Sequence, residues 1–105
     1  LPYLFDGDVK ITQSKAILYY LGRKFHLMGQ TPAEEARVMM LCEEAHDLRI
    51  TCAGVFYGPK GESAEERKQF AQTVVAEKLG NFEKYFAKHG TKFAVGDHVT
   101  VADFQ

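Results

Sequence analysis

The chain has 105 residues, of which 46% are hydrophobic and 26% are charged, the composition of one modest globular domain. The formal net charge of −1 gives no electrostatic reason to expect a nucleic acid or an anionic membrane as a partner. No apolar run in the sequence approaches the roughly 20 residues that a membrane-spanning helix needs.

The N-terminal quarter of the chain predicts a β-hairpin followed by a helix. Within residues 2–12, YLF is rich in strand formers, DGD is a turn signal and VKIT alternates apolar with polar residues. Gly7 can take the positive φ that such a turn needs. Ile17 and Leu21 recur at the spacing of one helix face and predict a helix over residues 14–25. Because an isolated two-stranded hairpin is marginal in water, we expect it to belong to a larger sheet.

The stretch TPAEE marks the start of a second helix. Thr31 is placed to cap it, Pro32 takes the first helical position, and Glu34 lies three residues after the cap, so the stretch has the pattern of a capping box with the favoured proline. This start predicts a domain boundary between Phe25 and Thr31. The predicted division is an α/β domain over residues 1–25, a linker over residues 26–30 and an all-helical domain over residues 31–105.

Two long helices are predicted in the all-helical domain. The first runs over residues 32–56 and ends at YGPKGE, and the second begins with a capping box of Ser63 and Glu66 and ends at Gly90. Each helix carries apolar residues at steps of three and four, which is typical of a face that packs on a core. These residues are Leu41, Ala45, Leu48, Cys52 and Val55 in the first helix and Ala71, Val75, Leu79, Phe82 and Phe86 in the second.

The last residues, TVADFQ, predict the start of another helix, capped by Thr100 with Asp103 in the role of the usual glutamate. The sequence stops at Gln105, within the first turn, and a helix that short does not propagate. The sequence also starts at Leu1 rather than at methionine. From these two ends we expect an internal piece of a longer protein.

The cysteines and histidines indicate neither a disulfide nor a metal site. Cys42 and Cys52 lie in one predicted helix at a separation of about 15 Å, whereas a disulfide joins Cα atoms within about 7 Å. Unpaired thiols predict a reducing compartment, the cytoplasm. None of the four histidines lies at a metal-ligand spacing from another histidine, a cysteine or a carboxylate, so no metal site is predicted.

Two stretches resemble one family. LPYLFDGDVKITQSKAILYYLGRKFHL resembles the glutathione-binding half of a cytosolic glutathione transferase, and VGDHVTVADF resembles the stretch that leads into the buried helix of that family. The resemblance extends over essentially the whole chain and is closest to the mu class, with the sigma class next. It implies the end of an α/β thioredoxin-like N-terminal domain, represented only by its C-terminal hairpin and helix, followed by a truncated all-α helical bundle.

The function implied by the resemblance is the conjugation of reduced glutathione to hydrophobic electrophiles in detoxification, by a cytoplasmic homodimer with glutathione as co-substrate and no cofactor. Two alternatives remain open: a sigma-like, glutathione-dependent isomerase of the prostaglandin type, and a transferase-like binding or structural protein without catalysis. The family activates the thiol with a hydroxyl, usually that of a tyrosine near the N-terminus of the protein. No residue of this chain matches it, and Tyr3, Tyr19 and Tyr20 do not take its place.

The resemblance places Leu1 and Pro2 in the glutathione site. Pro2 matches the cis-proline that precedes the third strand of the family, and X–Pro bonds adopt the cis form at a cost of only about 0.5–1 kcal/mol. The backbone of Leu1 is then implied to pair, in the manner of a strand, with the cysteinyl unit of glutathione. The alternative is that Pro2 is a proline at a strand edge.

Gln13 and Ser14 match the pair of the family at the start of its third helix, which binds the γ-glutamyl end of glutathione. A helix N-terminus offers unpaired N–H groups and a partial positive charge to a carboxylate. The serine hydroxyl can donate to that carboxylate, and a glutamine amide both donates and accepts, which suits a zwitterion. The alternative is that Thr12 or Ser14 simply caps the helix.

Two further positions are implied on the first long helix. Asp47 matches a mu-class aspartate that reaches the glutathione of the partner subunit, and it lies off the apolar stripe, so we expect its side chain outside the core. Tyr57 matches a mu-class tyrosine that faces the electrophilic substrate, although the loop YGPKGESAEE departs from the mu pattern. The alternatives are a solvated carboxylate for Asp47 and packing at a helix end for Tyr57.

Overall fold

The computed structural model describes residues 1–59 and 63–105. It confirms the predicted order of hairpin, short helix and two long helical segments, and residues 60–62 of the predicted YGPKGE helix stop lie outside the described part. The elements are β1 (Tyr3–Asp6), β2 (Val9–Thr12), α1 (Ser14–Lys24), α2 (Pro32–Phe56), α3 (Ala64–Phe70), a π-helical turn (Ala71–Val75), α4 (Ala76–His89) and a 3₁₀ turn (Val101–Phe104).

The chain forms two compact units. One consists of Leu1–Cys42 and Lys92–Gln105, and the other of Glu43–Thr91. The first unit includes residues on both sides of the predicted linker 26–30, so the boundaries of the compact units differ from those of the predicted domains. The division into domains stays a prediction. All the buried residues among those described belong to the first unit: Gly22, Met28, Val38, Leu41, Cys42, Val95, Thr100 and Val101.

The hairpin is antiparallel, with Tyr3 opposite Thr12 and Asp6 opposite Val9. Two residues close the turn, and the first of them, Gly7, has a φ of 59°. Such a tight turn requires a positive φ at this position, which glycine adopts at little cost. The predicted hairpin and its turn residue are therefore confirmed.

Asp6 joins the hairpin to α1. The Tyr20 hydroxyl donates to Asp6 Oδ2 at 2.8 Å, and Lys24 Nζ pairs with the same oxygen. The hydrogen bonds from Lys24 and Tyr20 hold the pKa of the Asp6 carboxyl below its ordinary value. The same carboxylate raises the pKa of Lys24, because it stabilises the ammonium form, and the pKa of Tyr20, because it accepts a hydrogen bond from the protonated hydroxyl.

The predicted capping box at α2 is half formed. Glu34 N donates to Thr31 Oγ1 at 3.2 Å, as predicted, but Glu34 Oε2 accepts from Gln30 N at 2.7 Å. Gly29 explains the difference, because its φ of 90° turns the preceding chain and a Cβ there would lie 2.7 Å from the Glu34 Cβ. The glutamate thus fastens the linker to the helix.

The C-terminal segment packs on α1 and the linker within the first unit. Val101 N donates to Leu27 O at 2.8 Å, and Gly22 approaches Met28 and Val101 so closely that an added Cβ would lie 2.7 Å from Met28 Sδ. Thr100 N donates to Asp103 Oδ2 at 2.8 Å, which confirms the predicted capping box. The turn that it caps is 3₁₀ rather than α-helical.

The second unit contains most of the predicted long helices. Ser63 caps α3 through a 3.3 Å hydrogen bond from Glu66 N, and Gly90 ends α4 with a left-handed φ of 58°. The second predicted helix is not uniform, because Ala71–Val75 forms a π-helical turn. Its apolar stripe is also less buried than predicted: Leu79 is 53% exposed and Phe86 is 41% exposed.

Candidate functional site

The open end of the hairpin and the first turn of α1 meet at one place. Because Tyr3 pairs with Thr12, the residues before Tyr3 lie beside those after Thr12. Thr12 Oγ1 donates to Pro2 O at 2.7 Å, which ties the two sides together. The structure therefore gathers four of the six predicted site residues: Leu1, Pro2, Gln13 and Ser14.

Gln13 occupies the N-cap position of α1 with an uncommon backbone conformation. Its φ is 75° and its ψ is 116°, and its carbonyl accepts from Ile17 N at 3.0 Å. A positive φ is unusual for a residue other than glycine, costs of order 1–3 kcal/mol and tends to occur at functional sites. The Gln13 side chain makes no capping hydrogen bond and is exposed. Its amide is therefore available to a ligand.

The capping alternative accounts poorly for these residues. The Thr12 hydroxyl is directed to Pro2 O rather than to the helix, and Ser14 is already the first helical residue. The first N–H groups of any α-helix have no acceptor within the helix. Here that end carries no acidic residue in its first turn, and Ser14 is exposed. The geometry suits a carboxylate, which would meet N–H donors, a hydroxyl and the positive end of the helix dipole.

Leu1 is fully exposed, with its backbone open to a partner, and Pro2 is also exposed. The described part of the chain contains no cis peptide bond, so the prediction that Pro2 follows a cis bond is wrong for this structure. The trans form is the ordinary preference of an X–Pro bond, by about 0.5–1 kcal/mol, and an exposed Leu1 makes no packing that offsets it.

Asp47 and Tyr57 belong to the second unit and are described within it. Asp47 is exposed, as its position off the apolar stripe predicted, and its carbonyl accepts from Thr51 Oγ1 at 2.7 Å. Tyr57 follows the end of α2 and donates its N–H to Ala53 O at 2.9 Å. Its side chain is 93% exposed, which contradicts the alternative that it packs at the helix end.

The tyrosines of the first unit are placed as structural residues. The Tyr20 hydroxyl donates to Asp6, and the Tyr19 hydroxyl donates to Met39 O at 3.5 Å. The Tyr3 ring lies 5.2 Å from that of Phe5 on the outer face of β1. That none of them supplies the thiol-activating hydroxyl stays a prediction.

The described ranges 1–59 and 63–105 show neither a metal site nor a disulfide. Within them no three histidine, cysteine, aspartate or glutamate side chains are arranged to hold a metal ion. Neither Cys42, which is buried, nor Cys52, which is half-buried, forms a disulfide within the described residues. None of the helices in these ranges is long and apolar enough to span a bilayer.

Thr12 is the residue whose role sequence reasoning missed. The sequence indicates at most a helix cap at this position, whereas the Thr12 hydroxyl bridges the two sides of the site. The signal in the sequence is a threonine at the end of the second strand, but its bond to Pro2 depends on a strand register that pairs it with Tyr3, the residue after Pro2.

Comparison with known proteins relates this chain to one family. Residues 46–105 match the glutathione S-transferase C-terminal domain. The rat protein "Glutathione S-transferase Mu 2" is 40% identical over 104 residues, which are 99% of this chain and 45% of that protein. The chicken protein "Glutathione S-transferase 2" is 38% identical over the same shares of both chains.

Solved structures similar to this chain are of the same family. A pi-class glutathione S-transferase of Onchocerca volvulus superimposes with a TM-score of 0.88 at 34% identity, over 99% of this chain and 50% of that one. A glutathione S-transferase from Ascaris lumbricoides does so with a TM-score of 0.73 at 33% identity, over 97% of this chain and 52% of the other.

The chain therefore belongs to the glutathione S-transferase family. It contains the C-terminal helical domain of that family, preceded by a small two-stranded hairpin and α1. It spans about half the length of the relatives that it matches, 45% in the case of the rat protein.

Proposed function

We propose that the whole protein is a glutathione transferase that conjugates reduced glutathione to hydrophobic electrophiles. The observation that carries the proposal is the juxtaposition of the exposed α1 N-terminus, at Gln13 and Ser14, with the exposed backbone of Leu1 across the open end of the hairpin. The hairpin and α1 would then belong to a thioredoxin-like glutathione-binding domain. The similarity to transferases over 99% of this chain supports the same activity.

Each part of glutathione meets a chemically suitable group. The γ-glutamyl carboxylate lies at the first-turn N–H groups of α1 and accepts from the Ser14 hydroxyl. The Gln13 amide accepts from the γ-glutamyl ammonium and donates to its carboxylate. The main chain of Leu1 pairs with the cysteinyl unit as a short added strand.

The reaction needs the glutathione thiolate. A free cysteine thiol titrates near 8.5, and the thiolate, not the thiol, is the nucleophile. A hydrogen-bond donor that stabilises the anion lowers the thiol pKa. We propose that this donor is a hydroxyl outside these 105 residues. The thiolate sulfur then forms a bond to the electrophilic carbon. In a substitution the leaving group departs with its bonding electrons, and in an addition the product takes up a proton.

Two residues of the second unit complete the proposal. Asp47, exposed on α2, would reach the ammonium of glutathione bound to the partner subunit of a homodimer. Tyr57, almost fully exposed, would present its hydroxyl to the electrophile. The homodimer acts in the cytoplasm, with glutathione as co-substrate and no bound cofactor.

The test uses the full-length protein on immobilised glutathione. The double variant Gln13→Ala, Ser14→Ala is expected to lose retention and to raise KM for glutathione at least tenfold, about 1.4 kcal/mol. Ser63→Ala is the matched control, because it removes a serine at another helix start and costs about 1 kcal/mol of stability without touching the site. Retention equal to wild type in the double variant would sink the proposal. Product analysis with an electrophile and with a lipid endoperoxide separates conjugation from isomerisation.

A further inference from the structure

One hydrogen bond from Thr12 holds the two sides of the glutathione site together. Thr12 Oγ1 donates to Pro2 O at 2.7 Å. Thr12 directly precedes Gln13, and Pro2 directly follows Leu1. The bond therefore links the backbone proposed for the cysteinyl unit to the helix end proposed for the γ-glutamyl unit.

Backbone pairing does not supply this link. The strand register ends at the pair of Tyr3 and Thr12. Beyond that pair, Pro2 has no N–H to donate, and Gln13 has left the extended conformation with a φ of 75°. The Thr12 hydroxyl takes the place of the next rung of the ladder, and its side chain is exposed at the surface where the ligand would lie.

We infer that Thr12 is a positioning residue for glutathione, a role that rests on the proposed function. Its hydroxyl sets the separation between the Leu1 main chain and the α1 N-terminus, which is the span that the tripeptide must bridge. Thr12 contacts neither the thiol nor the electrophile in this arrangement. Its loss should therefore weaken glutathione binding and leave the chemical step unchanged.

The test is Thr12→Val in the full-length protein, because valine keeps the shape and strand preference of threonine and removes only the hydroxyl. KM for glutathione is expected to rise roughly three- to tenfold, with kcat within about twofold of wild type. Thr12→Ser restores a hydroxyl and should return KM to within about twofold of wild type. Thr12→Ala, which also lacks the hydroxyl, should repeat the valine result and covers the case of poor expression.

Tyr20→Phe is the matched control. It deletes a hydroxyl that donates to Asp6 Oδ2 at 2.8 Å at the turn end of the same hairpin, away from the site. It should lower Tm and leave KM for glutathione unchanged. An equal rise of KM in Tyr20→Phe, or an unchanged KM in Thr12→Val, would overturn the role proposed for Thr12 but not the proposed function. Absence of glutathione binding by the wild-type protein would overturn the proposed function as well.

Discussion

Asp6 in β1 and Tyr20 in α1 are joined by a hydrogen bond of 2.8 Å, and Lys24 pairs with the same carboxylate oxygen. These contacts fasten the turn end of the hairpin to the helix, while Thr12 closes its open end against Pro2. The hairpin is thus tied to α1 at its turn end, and its two strands are tied to each other at the open end, where the proposed glutathione site lies.

The Asp6 contact predicts a pH dependence of stability. Its pKa is lowered in the folded chain by Lys24 and Tyr20, so its contribution is full above the ordinary value of 3.8 and is lost as the pH falls through the lowered pKa. Urea unfolding of the full-length protein and of Asp6→Asn should differ near neutral pH, and the difference should shrink as the pH falls below 3.8, the ordinary value of the carboxyl. A difference that stays constant over this interval would contradict the ion-pair assignment.

A side chain added at Gly22 is expected to disturb the packing around it. A Cβ at this position would lie 2.7 Å from Met28 Sδ and 3.0 Å from Val101 Cγ1, and both neighbours are buried. Gly22→Ala should therefore destabilise the protein by about 1–2 kcal/mol through overpacking. Gly80→Ala is the matched control, because that helical glycine has nothing within 4 Å of an added Cβ. It should stabilise by about 0.5–1 kcal/mol. Thermal unfolding of both variants measures the contrast, and equal shifts in the same direction would refute it.

Local chemistry explains why much of the fold was predictable. The turn at Gly7, the caps at Thr31 and Ser63 and the stop at Gly90 depend on residues within a few positions of each other. Conformational freedom of glycine and side-chain capping act over that range, so their pattern in the sequence is enough. The position of the candidate site depends on the same local pattern, since Gln13 lies between the end of β2 and the start of α1.

Backbone geometry and packing that no sequence pattern encodes explain the features that the sequence does not predict. Glu34 bonds to Gln30 rather than completing its capping box, because Gly29 brings the linker against it. The partner of the Thr12 hydroxyl depends on strand register, and the exposure of Leu79 depends on what covers α4. A single sequence shows periodicity but not which segment packs on a given face.

Asp103 predicts the strength of the C-terminal capping box. Its carboxylate accepts from Thr100 N and from Ala94 N, each at 2.8 Å, and Thr100 is buried. Asp103→Ala leaves these donors without their acceptor and should cost about 2–3 kcal/mol. Asp97→Ala, at an exposed aspartate of the same segment, should change stability by less than about 0.5 kcal/mol. Urea unfolding checks both, and equal costs would show that the carboxylate contacts are not the cause.

Replacing Gln13 is expected to change the stability of the protein and its affinity for glutathione in opposite directions. Its φ of 75° is strained for glutamine and free for glycine, so Gln13→Gly should stabilise the full-length protein by about 1 kcal/mol. The same variant lacks the amide proposed to hold the γ-glutamyl zwitterion, so glutathione affinity should fall about tenfold.

His26 provides the matched control, because it is the other non-glycine residue with a positive φ, 57°, among those described. His26→Gly relieves a similar conformation away from the proposed site and should leave glutathione affinity unchanged. Thermal unfolding and titration calorimetry measure the two effects separately. If Gln13→Gly bound glutathione as tightly as wild type, the strained conformation would have no connection with the ligand, and the role proposed for Gln13 would be wrong.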